Sequence, residues 1–255
     1  KQVRAWLDKN ATRKADAKGM ELPRDLDALI AESRAWQKKK ADAGYACITW
    51  PKEWGGGGGT TIDNVIYSQE EANYLVPGGI FAIGLGMCIP TVMTWGPEEA
   101  KERFVRPAVR GEEIWCQLFS EPAGGSDLAG CETQVEEAGD GFRLAGRKTM
   151  VTNGALADLF IVLARMPEQP PPLNVSLVLL RSDAAGIEIE PLDRTEGLRH
   201  SNQAAVTMRD CRVGSADFPG TPLGGMGMLL NIMQCERSAI LAGFLGALER
   251  APTAV

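Results

Sequence analysis

The sequence contains a single histidine, and its six cysteines include no C-x-x-C pair. Metal centres and catalytic triads built on histidine are therefore disfavoured, and so is a structural zinc site. The one histidine, His200, is interpreted as a surface or loop residue. The six thiols are predicted to be reduced and mostly buried, as in an intracellular protein.

Long hydrophobic runs and basic clusters are scarce as well. The longest apolar stretch, residues 78–90, is too short and too rich in glycine to span a bilayer. The N-terminus lacks the basic, apolar and small-residue regions of a signal peptide. A net charge of -6 argues against a nucleic-acid surface, and the lysines at 38–40 are interpreted as a solvated helix face. We therefore expect a cytoplasmic protein that binds neither nucleic acid nor membrane.

The first 110 residues have apolar side chains at helical spacing, which predicts an N-terminal helical domain over residues 1–111. Pro23 stands where one helix would begin and Gly44 where it would end, and Pro97 precedes the first turn of another helix. The five glycines at 55–59 predict a loop. Because no strand precedes them and no Lys-Ser/Thr follows, a phosphate-binding loop is disfavoured.

Beyond residue 112 the pattern changes to short runs of Val, Ile, Leu and Phe separated by turn residues. This pattern predicts a β-barrel or sandwich domain over residues 112–222. From Met226 the helical spacing returns, and one apolar helix needs a partner that buries its stripe. The predicted fold class is therefore α+β, with residues 223–255 forming the start of a C-terminal helical domain.

Two segments in the middle of the chain have residues suited to binding a flat ring with an anionic tail. The first, residues 115–127, reads Trp-Cys-Gln-Leu-Phe-Ser-Glu-Pro-Ala-Gly-Gly-Ser-Asp. Gly124 and Gly125 allow close backbone approach, and Ser126 adds a hydroxyl donor. The segment suits a phosphate or pyrophosphate, although a plain turn between strands explains it equally well. Ser120 stands where a strand would end, with its hydroxyl facing a ligand edge.

The second segment, residues 146–158, reads Gly-Arg-Lys-Thr-Met-Val-Thr-Asn-Gly-Ala-Leu-Ala-Asp. Strand alternation places Met150 and Thr152 on one face and Val151 on the other. A large apolar side chain and a hydroxyl on one face can flank a ring and bond its rim. The alternative is an ordinary strand that ends in an Asn-Gly turn.

These segments resemble the flavin-binding strands of acyl-CoA dehydrogenases, and the likeness extends over nearly the whole chain. Further matching pieces follow in family order at residues 44–56, 96–101, 111–116, 186–189, 196–201 and 236–237. The resemblance implies FAD bound between the β domain and a C-terminal helical bundle. It implies α,β-dehydrogenation of an acyl-CoA thioester in fatty acid metabolism and an acceptor of the electron-transfer-flavoprotein type. It also implies a homo-oligomer, either a dimer or a tetramer.

The resemblance also assigns roles to residues of both segments. Those placed beside the isoalloxazine ring are Gln117, Phe119 and Ser120. Gly125 and Ser126 match the turn near the cofactor phosphates and the substrate thioester. The strand against the flavin matches Met150, Val151 and Thr152, with the Thr152 hydroxyl near the nitrogen that accepts hydride. The family usually has Trp where this chain has Met150, and a methionine packs less rigidly than an indole.

A base for the α-proton is required by the family's reaction. In isovaleryl-type and long-chain-type members it lies on the first bundle helix just before an arginine. Glu236 and Arg237 occupy that position, which makes Glu236 the candidate catalytic base and Arg237 a candidate substrate-binding residue. Many members instead take the base from late in the bundle, and Glu236 would then form an ordinary ion pair.

Two rival functions share this fold. One is a non-catalytic subunit that supports a flavin-bearing partner in a heteromeric dehydrogenase. The other is a flavin oxidase or monooxygenase that uses oxygen in place of an electron-transfer partner.

Overall fold

The computed structural model describes residues 1–23, 25–128, 130–170, 174–192 and 202–234. The helices are α1 (Gln2–Asn10), α2 (Leu26–Asp42), α3 (Thr61–Glu71), a π-helix (Gly84–Cys88), α4 (Ile89–Trp95), α5 (Glu98–Val109) and α6 (225–234), with 3-10 turns at Lys52–Trp54 and Ser215–Asp217. The strands are β1 (Thr12–Arg13), β2 (Tyr74–Leu75), β3 (Trp115–Leu118), β4 (Gln134–Ala138), β5 (Gly141–Thr152), β6 (Leu159–Arg165), β7 (Val175–Arg181), β8 (Ile187–Pro191) and β9 (Gln203–Val213).

The helical N-terminal region is confirmed, and its helices begin and end at residues suited to these positions. Asp25 caps α2, because its side chain accepts a hydrogen bond from the Ala28 amide at 2.9 Å. The helix ends at Asp42, just before Gly44, which has a φ of +75°. Pro97 precedes α5, because the fixed φ of proline suits the start of a helix.

The five-glycine segment forms an irregular loop, as predicted, and it packs closely on the preceding turn. A Cβ at Gly56 would lie 2.4 Å from the Trp50 carbonyl oxygen, and one at Gly57 would lie 2.7 Å from the Gly44 oxygen. No larger residue fits at these two positions without movement of the backbone. The glycines at these two positions therefore serve loop packing.

The middle of the chain forms one curled seven-stranded sheet. Strands β4, β5, β9 and β8 pair in antiparallel succession, whereas β6 pairs in parallel with β3 and in antiparallel with β7. The apolar runs at residues 142–144, 160–164, 175–180 and 204–208 lie within β5, β6, β7 and β9. The prediction of a β domain between two helical regions is confirmed.

Strands β3 and β4 lie end to end along the same side of β6. Strand β3 pairs with residues 159–162 of β6, and β4 meets β6 only at Arg165. Between them the described residues 122–128 and 130–132 lie outside the sheet. At the end of β3 the Thr149 amide of β5 donates to the Ser120 carbonyl at 2.9 Å. We call this junction of β3, β4 and β5 the seam of the sheet.

Strand β6 is buried on both faces and separates two hydrophobic clusters. Phe160, Val162 and Ala164 belong to one cluster, whereas the alternate residues Leu159, Ile161 and Leu163 belong to the other. The second cluster also includes apolar residues of α4, α5 and α6. The helices therefore cover one face of the sheet and share its core.

The cysteine prediction agrees with the described part of the chain. Its five cysteines are unpaired; Cys47 is half-buried, and the others, Cys88, Cys116, Cys131 and Cys211, are buried. Burial raises the pKa of Cys47 to about 12 and the pKa of Cys116 well above its usual value. Thiols of this kind are poor nucleophiles. Over the described ranges no helix has the length and apolar character needed to cross a membrane.

Candidate functional site

A cavity of about 350 Å³ lies at the seam and brings the two sequence segments together. Its lining residues are Ile83, Met87, Gln117, Phe119, Ser120, Thr149, Met150, Val151 and Thr152. Six of the eight residues that the sequence suggests for cofactor binding are in this set: Gln117, Phe119, Ser120, Met150, Val151 and Thr152. The wall combines apolar surfaces with hydroxyl and amide groups, which suits a flat ring with a polar rim.

A β-bulge in β5 shapes the wall at Met150. The pairing of β5 with β9 shifts register between Lys148 and Val151, and Met150 has a φ of +52°. The Met150 side chain is 62% exposed and lies at the cavity, while Val151 packs in the core. Met150 and Thr152 both line the cavity, whereas Lys148, which regular alternation would place on the same face, is fully buried.

The Thr152 hydroxyl is oriented by its neighbour on β9. Its oxygen accepts a hydrogen bond from the Gln203 side-chain amide at 2.9 Å. A hydroxyl has one proton to donate besides the lone pairs that accept. The Gln203 contact therefore leaves the Thr152 proton for an acceptor on a ligand in the cavity.

The π-helix and the residue before it complete the lining of the cavity. The Ile89 amide bonds to the Gly84 carbonyl five residues earlier, and Ile83 and Met87 line the cavity. Gly84 allows the helix to approach β3, because a Cβ there would lie 3.0 Å from the Trp115 Cβ. The sequence patterns do not predict these two apolar contacts, although both residues lie in the apolar run at 78–90.

Directly behind the cavity lies a buried ion pair. Lys148 Nζ is 2.7 Å from Glu121 Oε1 and donates to the Phe119 carbonyl at 3.2 Å. Glu121 also accepts from the Thr133 amide at 2.9 Å, the Thr133 hydroxyl at 2.6 Å and the Glu132 amide at 2.5 Å. Both side chains are almost fully shielded from solvent. The sequence patterns do not predict this pair, although each of the two segments contains one of its residues.

The pKa of both groups responds to this burial. Burial raises the pKa of Glu121, but the hydrogen bonds from Lys148, Thr133 and Glu132 outweigh it and lower the value below that of an ordinary glutamate. Burial lowers the pKa of Lys148, and the pairing with Glu121 opposes that effect.

The glycine turn lies beside the cavity and does not line it. Glu121 and Gly124 exchange backbone hydrogen bonds at 2.9 and 3.1 Å, which closes a tight turn. Gly125 and Ser126 are exposed, and a Cβ at Gly125 would lie 3.5 Å from the Ser120 Oγ. The turn is therefore positioned for a ligand that extends out of the cavity past Ser120.

Some suggested residues are not part of this geometry. Glu236 and Arg237 lie outside the described residues, as does His200. Among the described residues no cluster of His, Cys, Asp and Glu could hold a metal ion.

A second groove, of about 400 Å³, lies on the outer face of β4 and β5. Charged residues line it, including Glu132, Glu136, Arg143 and Asp210. It lacks the apolar wall that a flat ring requires, so the cavity at the seam is the better candidate.

Two family profiles match the chain. The acyl-CoA dehydrogenase N-terminal domain matches residues 1–112, and the acyl-CoA dehydrogenase middle domain matches residues 116–211. The chain belongs to the acyl-CoA dehydrogenase family. The middle-domain match includes both segments that meet at the cavity, except for Trp115.

Relatives and solved structures agree with this assignment. The chain is 32% identical over 245 residues to the acyl-CoA dehydrogenase IpdE1 of Mycobacterium tuberculosis, and the match covers 95% of this chain and 63% of IpdE1. It also resembles the crystal structure of an acyl-CoA dehydrogenase from Geobacillus kaustophilus at 26% identity with a TM-score of 0.73. That match covers 92% of this chain and 60% of that one. The chain thus spans about three fifths of the length of these two acyl-CoA dehydrogenases.

Acyl-CoA dehydrogenases as a family bind FAD, and the residues at the seam fit its ring system. The apolar side chains of Ile83, Met87 and Met150 line the cavity, and Gln117 and Thr152 offer polar groups at its wall. The volume lies at the lower end of the range for small-molecule sites, which suits a ring system and not the whole dinucleotide.

Proposed function

We propose that this chain binds FAD at the seam of its sheet and takes part in the α,β-dehydrogenation of an acyl-CoA thioester. The supporting observation is the cavity at which Phe119 of the first segment meets Met150 and Thr152 of the second. The two segments are separate in sequence and in strand order, yet their suggested contact residues form one wall.

The cavity residues have distinct proposed roles in binding. Ile83, Met87 and Met150 contact the faces of the ring and exclude water from it. Gln117 and the Thr152 hydroxyl donate hydrogen bonds to its rim, and Thr152 is held for this by Gln203. Gly125 and Ser126 contact the phosphates and the substrate thioester at the cavity edge.

Bound FAD would supply the acceptor for the β-hydride. Glu236 is proposed to remove the α-proton, and Arg237 to contact the substrate. Partial burial would raise the pKa of such a carboxylate toward neutrality, as a base requires. Electrons would pass to an acceptor of the electron-transfer-flavoprotein type, and the protein would act as a homo-oligomer in the cytoplasm.

Flavin binding tests the proposal directly. Purified protein should show a flavin absorption spectrum after incubation with FAD, and anaerobic addition of an acyl-CoA should bleach it. Thr152→Val should raise the Kd for FAD at least tenfold. The matched control is Thr207→Val on β9, away from the cavity, and it should leave the Kd unchanged. Protein that acquires no flavin spectrum contradicts the proposal.

The assignment of the base has its own test. Glu236→Gln should abolish bleaching by acyl-CoA without loss of FAD binding, because an amide cannot accept the α-proton. Full turnover by this variant would remove Glu236 as the base and place that role elsewhere.

A non-catalytic subunit is the second candidate, and Met150 is the observation that favours it. The family usually places an indole at this position, and an exposed, flexible methionine is a weaker contact for a ring. A subunit of this kind would keep the fold and bind FAD only weakly. The FAD titration separates the two candidates. Fast reoxidation of the reduced flavin by air would instead favour the oxidase or monooxygenase.

A further inference from the structure

We propose that Glu121 and Lys148 are a positioning pair that closes the seam of the sheet and holds the two segments of the cavity wall at a fixed spacing. Neither residue lines the cavity, and neither has a role in the proposed reaction. The inference concerns the same cavity, and it rests on the proposed function only for the identity of the ligand.

The first argument comes from where the pair lies in the sheet. The connection between β3 and β4 interrupts the strand position that these two strands share beside β6, so backbone pairing with β6 is broken between Val162 and Arg165 on that side. The Glu121 carboxylate bridges this interruption, because it accepts from the amides of Glu132 and Thr133 on the far side of the connection. One side chain thus joins the end of β3 to the start of β4 and fastens both ends of the connection that carries Gly125 and Ser126.

The second argument comes from Lys148. Its ammonium bonds to Glu121 and to the Phe119 carbonyl, so it attaches β5 to the same point. The next residue along β5, Thr149, donates its amide to Ser120 at 2.9 Å. The bulge at Met150 follows immediately. The pair therefore fixes where the cavity residues of β5 lie relative to Phe119 and Ser120.

The energetic argument is that a buried ion pair contributes little net stability. The cost of removing two charges from water offsets much of their attraction, and well-packed apolar residues often stabilise a fold as well or better. Such a pair instead enforces one arrangement of its neighbours, because any other arrangement leaves a buried charge unpaired. The expected role here is geometric.

The test compares Lys148→Met, Glu121→Gln and the double variant with an exposed control on the same strand. Arg147→Met removes the partner of Glu190, a pair whose side chains are 43% and 47% exposed. Each protein is analysed by amide hydrogen exchange, by FAD titration and by thermal unfolding. If Lys148→Met does not fold, Glu121→Gln is compared with the parent protein in its place, because glutamine keeps the shape of the side chain and removes the ion pair.

We expect amide exchange at Thr149 and at 132–133 to rise at least tenfold in both single variants, with exchange in β6 and β7 unchanged. The Kd for FAD should rise at least tenfold as well. In the double variant, which has no unpaired charge, the melting temperature should recover, while seam exchange and FAD affinity should not. Arg147→Met should match the parent protein in all three measurements.

Two results would overturn the inference. One is a uniform rise of exchange over β5, β6 and β7, which would mean that the pair only stabilises the fold. The other is a double variant with parental seam exchange and FAD affinity. If the parent protein binds no FAD while seam exchange responds to Lys148→Met, the proposed function fails and the positioning pair stands.

Discussion

At the scale of single residues, the backbone at Met150 is the clearest departure from regular structure in the site. A φ of +52° is unfavourable for any residue with a Cβ and is found mainly where the surroundings enforce it. The bulge enforces it here and directs the side chain out of the sheet toward the cavity. The unfavourable backbone conformation thus lowers local stability, and it places the Met150 side chain at the cavity.

We predict that Met150→Gly keeps or increases stability, because glycine adopts a positive φ without a steric penalty. Met150→Val should lower the free energy of unfolding by about 1 kcal/mol or more, since a β-branched side chain fits this conformation poorly. Urea denaturation of both variants measures the difference. A valine variant as stable as the glycine variant would contradict the left-handed conformation at this position.

At the scale of elements, helix ends and strands follow from local sequence, but the seam does not. Proline, glycine and aspartate at the helix ends and runs of β-branched residues in the strands are local signals. Glu121 and Lys148 are 27 residues apart, and β3 and β5 are not neighbours in the strand order. Alternation alone places Lys148 on the cavity side, and only the bulge, set by pairing with β9, explains its burial. The sequence therefore predicts the cavity residues within the two segments. It does not predict the Glu121–Lys148 pair that lies behind them, because that contact depends on strand pairing.

The depressed pKa of Glu121 gives the seam a pH dependence. A carboxyl whose pKa is lower in the folded state contributes stability above its unfolded pKa, near 4.5, and that stability decreases as the pH falls through the folded value. We predict that the melting temperature of the parent protein falls more steeply below pH 4.5 than that of Glu121→Gln. Melting curves at a series of pH values from 7 to 3 test this. Parallel curves for the two proteins would count against a depressed pKa at Glu121.

At the scale of the whole molecule, the helices and the sheet share one core. Leu163 of β6 is fully buried in the cluster that also contains Val92 of α4 and Val105 of α5. The proposed domain boundary near residue 111 therefore does not divide the hydrophobic core. Apolar periodicity predicted both kinds of element, but it could not show which helices would cover the sheet.

We predict that Leu163→Ala lowers the free energy of unfolding by about 2–5 kcal/mol, the usual cost of replacing a buried leucine with alanine. Tryptophan fluorescence and far-UV circular dichroism should report one common transition at a lower urea concentration, because the two regions share this cluster. Leu223→Ala, at a side chain that is 41% exposed, is the control and should change stability by about 0.5 kcal/mol or less. Two separate transitions, only one of them shifted, would contradict a shared core.

The π-helix also lets the segment before α4 hold one residue more than an α-helix would hold at the same place. A π-turn holds one more residue than the equivalent α-helical turn. Deleting one residue from Gly84–Cys88 would restore α-helical geometry and leave the flanking residues close to their present orientation, because the α-turn completes nearly the same rotation with one residue fewer. The change would be confined to the turn that carries Met87. The length of this segment therefore shapes the cavity wall without displacing α4 or the strands.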